Sequence, residues 1–186
     1  MLSQNIKENT TAAHQKLEGT VVRQLKAIRS NADYAEVLKN FYAYFSAVEK
    51  AVAPFTGLDV LADKAERRDS SYIKADIEEL GGSVADLPAV EVPAINSTLE
   101  ALSALYVLEG SIMGGPYIVQ MLNKYGITQG TSFFSGYGEN TGKMWAAFTA
   151  VLNHYGADEA THARAVEVAN ETFSRFGNVF ATAVAE

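Results

Sequence analysis

Leu105-Tyr106-Val107-Leu108-Glu109-Gly110-Ser111-Ile112-Met113-Gly114-Gly115-Pro116 is the stretch that decides how the chain folds. Upstream, Leu99 and Leu102 join Leu105, Tyr106 and Leu108 to give the bulk of a long apolar helix, with Asn96 or Ser97 as its cap and Tyr125 near its end. Each glycine inside a helix costs about 1 kcal/mol and a proline about 3. Three glycines and a proline within seven residues therefore predict a kinked helix whose backbone comes close to something flat or bulky. Small residues also let two helices pack closely, and Pro116 alone can bend a helix, so spacing by itself leaves both readings open.

Helical patterning extends in both directions from this segment. Ile6, Thr10, Ala13 and Leu17 recur at three- and four-residue spacing, followed by Val21, Val22, Leu25 and Ile28, which predicts a long first helix bent at Gly19. A second helix is expected from a cap at Asn31 to about Ala53, closed by Pro54, with Tyr34, Phe41, Tyr42, Tyr44 and Phe45 as mostly core aromatics. Residues 60–80 read as a more charged third helix, 83–95 as a proline-containing loop, and 126–138 as a glycine-rich loop around Phe133-Phe134. Two further helices are expected, from about Lys143 to Tyr155 and from about Asp158 to Phe180. With no alternating runs long enough for a core sheet, the expectation is an all-α, multi-helical single domain spanning residues 1–186.

Composition excludes several chemistries. A net charge of -7 argues against a nonspecific grip on nucleic acid or anionic lipid, and the absence of cysteine removes disulfides, thiolate ligands and a cysteine nucleophile. The polar start lacks the apolar core of a signal peptide, and no apolar run reaches the length of a membrane span, so no stable membrane association and a cytoplasmic location are expected.

Three histidines leave few imidazole ligands. His14 lies seven residues after Lys7 and four before Glu18, spacings that put the three on or near one face of a continuous helix. An imidazole that binds metal through one nitrogen needs the other oriented, and Glu18 can accept that proton, while Lys7 can meet an anionic group two turns away. Spacing equally allows an exposed histidine with two ordinary charged neighbours. Glu159-Ala160-Thr161-His162 is a single Glu-x-x-His without the second copy that a di-iron bundle needs, so His162 and His154 are read as surface or helix-end residues.

Over nearly its whole length the chain resembles heme oxygenases, and more narrowly the bacterial group associated with bacteriophytochromes. The likeness rests on Thr11-Ala12-Ala13-His14, on the 105–111 stretch with Gly114-Gly115, and on Phe133-Phe134-Ser135-Gly136-Tyr137-Gly138 with Gly142 and Trp145. It implies heme as both cofactor and substrate, opened to biliverdin, carbon monoxide and ferrous iron, with molecular oxygen as co-substrate and electrons from an external reductase or ferredoxin. Residue by residue, it implies His14 as the proximal iron ligand, Glu18 as the acceptor behind it, and Lys7 and Lys143 at the heme propionates. Gly110 and Gly114 become the distal glycines, with Gly115 as the second of the closing pair, and Phe173 an aromatic wall.

Two departures from the mammalian pattern stand out. Ser111 occupies the position of an aspartate that orders water beside bound oxygen, and Ala147 and Phe148 lie where those members offer an arginine. An uncharged hydroxyl can donate or accept but implies a different water arrangement, and heme orientation can differ as well. Ser111, Gly110 and Gly114 are thus the expected catalytic set. The chief alternative is a non-catalytic heme or bilin carrier or sensor with the same pocket, and beyond it a helical ligand-binding protein that ignores heme.

Overall fold

The computed structural model describes residues 1–182, so the last four residues of the expected domain lie outside it. Eight α-helices carry the fold: α1 Leu2–Asn9, α2 Thr11–Lys26, α3 Asn31–Val52, α4 Ser70–Glu79, α5 Thr98–Met113, α6 Gly115–Lys124, α7 Thr141–Tyr155 and α8 His162–Thr182. No strand occurs among the described residues, which bears out the all-α expectation.

Helix α5 is central. It packs against α3, α7 and α8, whereas α2 packs against α8. The core joins α3 to α8 through rings. Phe41 meets Phe134, Phe176 and Phe180 edge to face, and Tyr44 stacks on Phe176 at 4.9 Å while donating its hydroxyl to the Thr172 carbonyl. Aromatic pairs of this kind are worth roughly 0.5–1.5 kcal/mol beyond their buried area, so the dense aromatics of α3 serve the core, as their spacing predicts.

Several boundaries differ from expectation, each for a local reason. The first helix breaks at Thr10, not at Gly19, which sits inside α2. Thr10 and Thr11 both turn their hydroxyls back onto the carbonyls of Ile6 and Lys7, a competition with the helix ladder that bends helices. Ser30, not Asn31, caps α3 by accepting from the Asp33 N–H, and Asp33 returns a bond to the Arg29 N–H. Of residues 60–80, only α4 and a short 3₁₀ turn at Lys64–Glu66 are helical, because Asp69 caps a new helix and Arg67 is extended. Ser97 caps α5, reciprocated by Glu100 on the Asn96 N–H.

Helices α5 and α6 meet at Gly114 with a bend of 41°. No single described helix is long and apolar enough to cross a membrane; the bent pair passes on length and composition alone, and α5 is largely buried within the bundle. His162 also departs from expectation. It starts α8, yet it is buried, with Nε2–H donating to the Gly156 carbonyl at 2.8 Å and Nδ1 accepting from the Asn5 amide at 3.1 Å.

Candidate functional site

Both α2 and α5 lean on α8, and they make no substantial contact with one another. Helix α8 thus carries both the helix that holds His14 and the helix that holds Gly110 and Ser111. From the α2 side, the exposed His14 ring lies 5.5 Å from the ring of Phe173 in α8, tilted by 44°. Phe173 is itself buried. The imidazole makes no hydrogen bond to the protein among the described residues, so a ring nitrogen is available to a ligand while Phe173 limits its swing.

On α5 and at the start of α6 the glycines of the decisive stretch separate into two kinds. A Cβ at Gly110 would meet only the edge of the Trp145 ring, at 3.7 Å, and one at Gly114 only the Ser111 carbonyl, at 3.6 Å. These two positions present bare backbone, a surface suited to a flat ligand. Gly115 differs: a Cβ there would stand 2.0 Å from the Phe134 carbonyl oxygen. Its glycine is required by the 126–138 loop, which presses its own backbone onto the start of α6. The resemblance had grouped Gly115 with the ligand glycines, and packing alone accounts for it.

That loop is firmly held. Asp76, fully buried, accepts from the Ser132 N–H, the Ser132 hydroxyl and the Phe133 N–H; Glu79 accepts from the Gly130 N–H, and Tyr34 donates to the Gly130 carbonyl. Gly126, Gly130, Gly136 and Gly138 take the positive φ values that its turns demand.

The remaining expected site residues are placed as follows. Ser111, half-buried, donates its hydroxyl to the Leu108 carbonyl at 2.6 Å, which leaves its oxygen lone pairs free to accept. Glu18 is exposed and makes no hydrogen bond to His14. Lys7 and Lys143 are exposed and form no ion pair among the described residues. The helix break at Thr10 falls between Lys7 and His14, so the two residues sit on separate helices, α1 and α2, although i→i−4 backbone bonds still run from Thr10 to Ile6 and from His14 to Thr10. Tyr106 is buried against Trp145 at 5.2 Å, and Tyr117 is largely exposed.

Sequence reasoning missed a buried charge network behind α5. Arg67 donates to Glu109 at 3.0 Å and grips Asp63 through a fork of 2.8 and 2.6 Å, while Tyr137 donates to Glu109 at 3.4 Å. Burial pushes the Glu109 carboxyl up to about 7, against the opposing pull of Arg67 and Tyr137. Burial works against the Arg67 charge too, but Glu109 and Asp63 more than offset it and hold that group further up. A cavity of about 110 Å³ lies here, lined by Leu105, Leu108, Glu109 and Ile112 from α5. On a repeat of about 3.6 residues per turn, this face is opposite Gly110 and Gly114. The signal was present in the sequence: an acid inside an apolar helix must find a partner.

Comparison with known proteins bears on family and fold. The heme oxygenase family model matches residues 1–182. A heme oxygenase of Xanthomonas campestris is 28% identical over 145 residues, covering 77% of this chain and 86% of that protein. Heme oxygenase PigA of Pseudomonas aeruginosa is 24% identical over 179 residues, covering 95% and 90%. Among solved structures, the NO- and CO-bound heme oxygenase of Neisseria meningitidis superposes with a TM-score of 0.78 at 22% identity, covering 100% of this chain and 92% of that one. Heme oxygenase-2 of the cyanobacterium Synechocystis, solved with heme and NO, gives 0.71 at 19% identity, covering 97% and 84%. At these identities the structures speak for the fold. Matched along its described length by the family model, the chain belongs to the heme oxygenase family.

Proposed function

We propose that this chain binds heme in a slot between α2 and α5 and opens it oxidatively, with His14 as the iron ligand. What supports the assignment is an unbonded imidazole beside Phe173 on α8, together with the bare backbone of Gly110 and Gly114 at the end of α5, which also packs on α8. The donor set suits heme: one neutral nitrogen for iron, a flat glycine surface for the macrocycle, and unpaired lysines for carboxylates. Family membership makes the chain a heme-degrading oxidoreductase.

Heme, once bound, supplies the iron that activates oxygen and is itself the substrate, yielding biliverdin, carbon monoxide and ferrous iron. The protein's part is orientation and proton supply. His14 holds the plane of the slot, with Glu18 taking the second imidazole proton through water. Lys7 and Lys143 are the cations that would meet the propionate carboxylates. Gly110 and Gly114, lacking side chains, would let a flat ligand approach the backbone of α5. Ser111, its proton engaged at Leu108, has lone pairs that would accept from a water and so orient it for proton supply. Trp145, against Gly110, closes one side of this approach.

Molecular oxygen and electrons from a ferredoxin or reductase complete the reaction, and a cytoplasmic location suits such a donor. The narrower kinship with the bacteriophytochrome-associated group rests on the glycine motif and Ser111. The test is to incubate the hemin complex of the purified protein with a reductase system under air and catalase. Biliverdin in the extract supports the assignment. Tight hemin binding without biliverdin would favour the carrier alternative.

A further inference from the structure

Glu109 immediately precedes Gly110, and three parts of the molecule converge on it. Arg67 links its carboxylate to Asp63 of the 56–69 segment and, through Nη2, to the Met144 carbonyl of α7 at 3.3 Å, with the guanidinium 5.6 Å from the centre of the Phe148 ring. Tyr137 ties the same carboxylate to the 126–138 loop and is itself held by the Arg68 N–H at 2.9 Å, while Arg68 Nε donates to the Gly136 carbonyl. Buried ion pairs are often no more stabilising than apolar residues of the same volume. Directional bonds, unlike apolar contacts, fix rotation and register.

We propose that Glu109 is a positioning residue for heme oxidation: gripped by Arg67 and Tyr137, it fixes the rotation of α5 and so sets how Gly110 and Ser111 meet the ligand. This rests on the slot assignment above. It gives the charge network a role that stability alone does not require, and it makes the wall of the slot respond to a proton on its far side. Arg67 and Tyr137 contact Glu109 directly, with Asp63 behind Arg67. Across the cavity stand Glu49 of α3 and Lys64, Arg68 and Asp69 of the 56–69 segment, while α7 contributes only a backbone carbonyl and the Phe148 ring. With its carboxyl raised to about 7, Glu109 completes the ion pair above neutrality and loses its charge below it.

A reporter is built in. Trp145 is the only tryptophan of the chain, follows Met144 in α7, and places its ring edge beside Gly110. The experiment follows Trp145 emission of the ligand-free protein from about pH 5 to about pH 9, in wild type, Glu109→Gln and Tyr137→Phe. Hemin titration and the ratio of biliverdin isomers are measured on the same samples. Wild type should show a step centred near 7. Glu109→Gln should lack it, keep hemin affinity within about threefold, and yield a changed isomer ratio. Tyr137→Phe, which removes one donor and leaves the ion pair, should move the step to higher pH. Superimposable pH profiles and isomer ratios in hemin-binding wild type and Glu109→Gln overturn the proposal and leave the slot assignment standing. Failure of wild type to bind hemin overturns the slot assignment, and this role with it.

Discussion

The two sides of α5 are built from opposite materials. Toward the proposed slot it offers Gly110 and Gly114, backbone without side chains where an added Cβ would make only ordinary contacts, at 3.7 and 3.6 Å. Away from the slot it offers Leu105, Leu108, Ile112 and Glu109, the last bonded to Arg67 and Tyr137. One side is shaped for something that arrives; the other is secured to the rest of the protein. The difference teaches that a glycine in this helix does not have one meaning. Gly110 and Gly114 leave room for a ligand, while Gly115, one residue further, leaves room for the Phe134 carbonyl. Rigidity behind the helix is what allows the exposed backbone in front to hold a defined position.

Substitutions break the comparison in order of size. Arg67→Leu leaves Glu109 and Asp63 without their cation in a buried place, and should cost about 3–5 kcal/mol in urea unfolding. A loss under about 1 kcal/mol would mean that water already reaches the pair. Gly115→Ala drives a methyl into the loop backbone and should cost about 3 kcal/mol, near the upper end of overpacking, seen as a lowered Tm with or without hemin. Gly110→Ala should do the reverse in the ligand-free protein, gaining up to about 1 kcal/mol of helix preference, yet it should weaken hemin binding about tenfold. Unchanged hemin affinity in that variant would move the ligand off the glycine side.

The remaining effect is one of pH. Because burial raises Glu109 from its ordinary 4.5 to about 7, the folded protein binds this proton more tightly than the unfolded chain does. Its contribution to stability is therefore full below 4.5 and is lost as pH rises through about 7. Glu109→Gln should flatten that part of the stability profile in urea titrations, and a parallel slope in both proteins would count against it.

What the sequence reveals follows from how local the cause is. The kink that falls at Gly114, the core role of Phe41 and Phe45, and the cap of α5, narrowed to Asn96 or Ser97, depend on neighbours a few residues away and were legible to that extent. Thr10 took the break expected at Gly19 because two adjacent threonines bond back to the preceding turn, a local cause outweighed in the reading by the reputation of glycine. Arg67 lies 42 residues from Glu109 and Asn5 157 from His162, and helical periodicity carries no information about such pairs. The contact of His14 with Phe173 is equally remote in sequence, and only family resemblance put both residues in one site.

The central claim is that His14 faces a heme slot closed on the other side by Gly110 and Gly114. The most direct test is a stoichiometric hemin titration of wild type and His14→Ala, read by the Soret band and by the spin-state spectrum of the ferric complex. Saturation at one hemin per chain in wild type, with ligation lost or replaced by a weaker ligand in His14→Ala, is the predicted result. A wild-type complex whose spectrum and affinity survive His14→Ala unchanged would contradict the account.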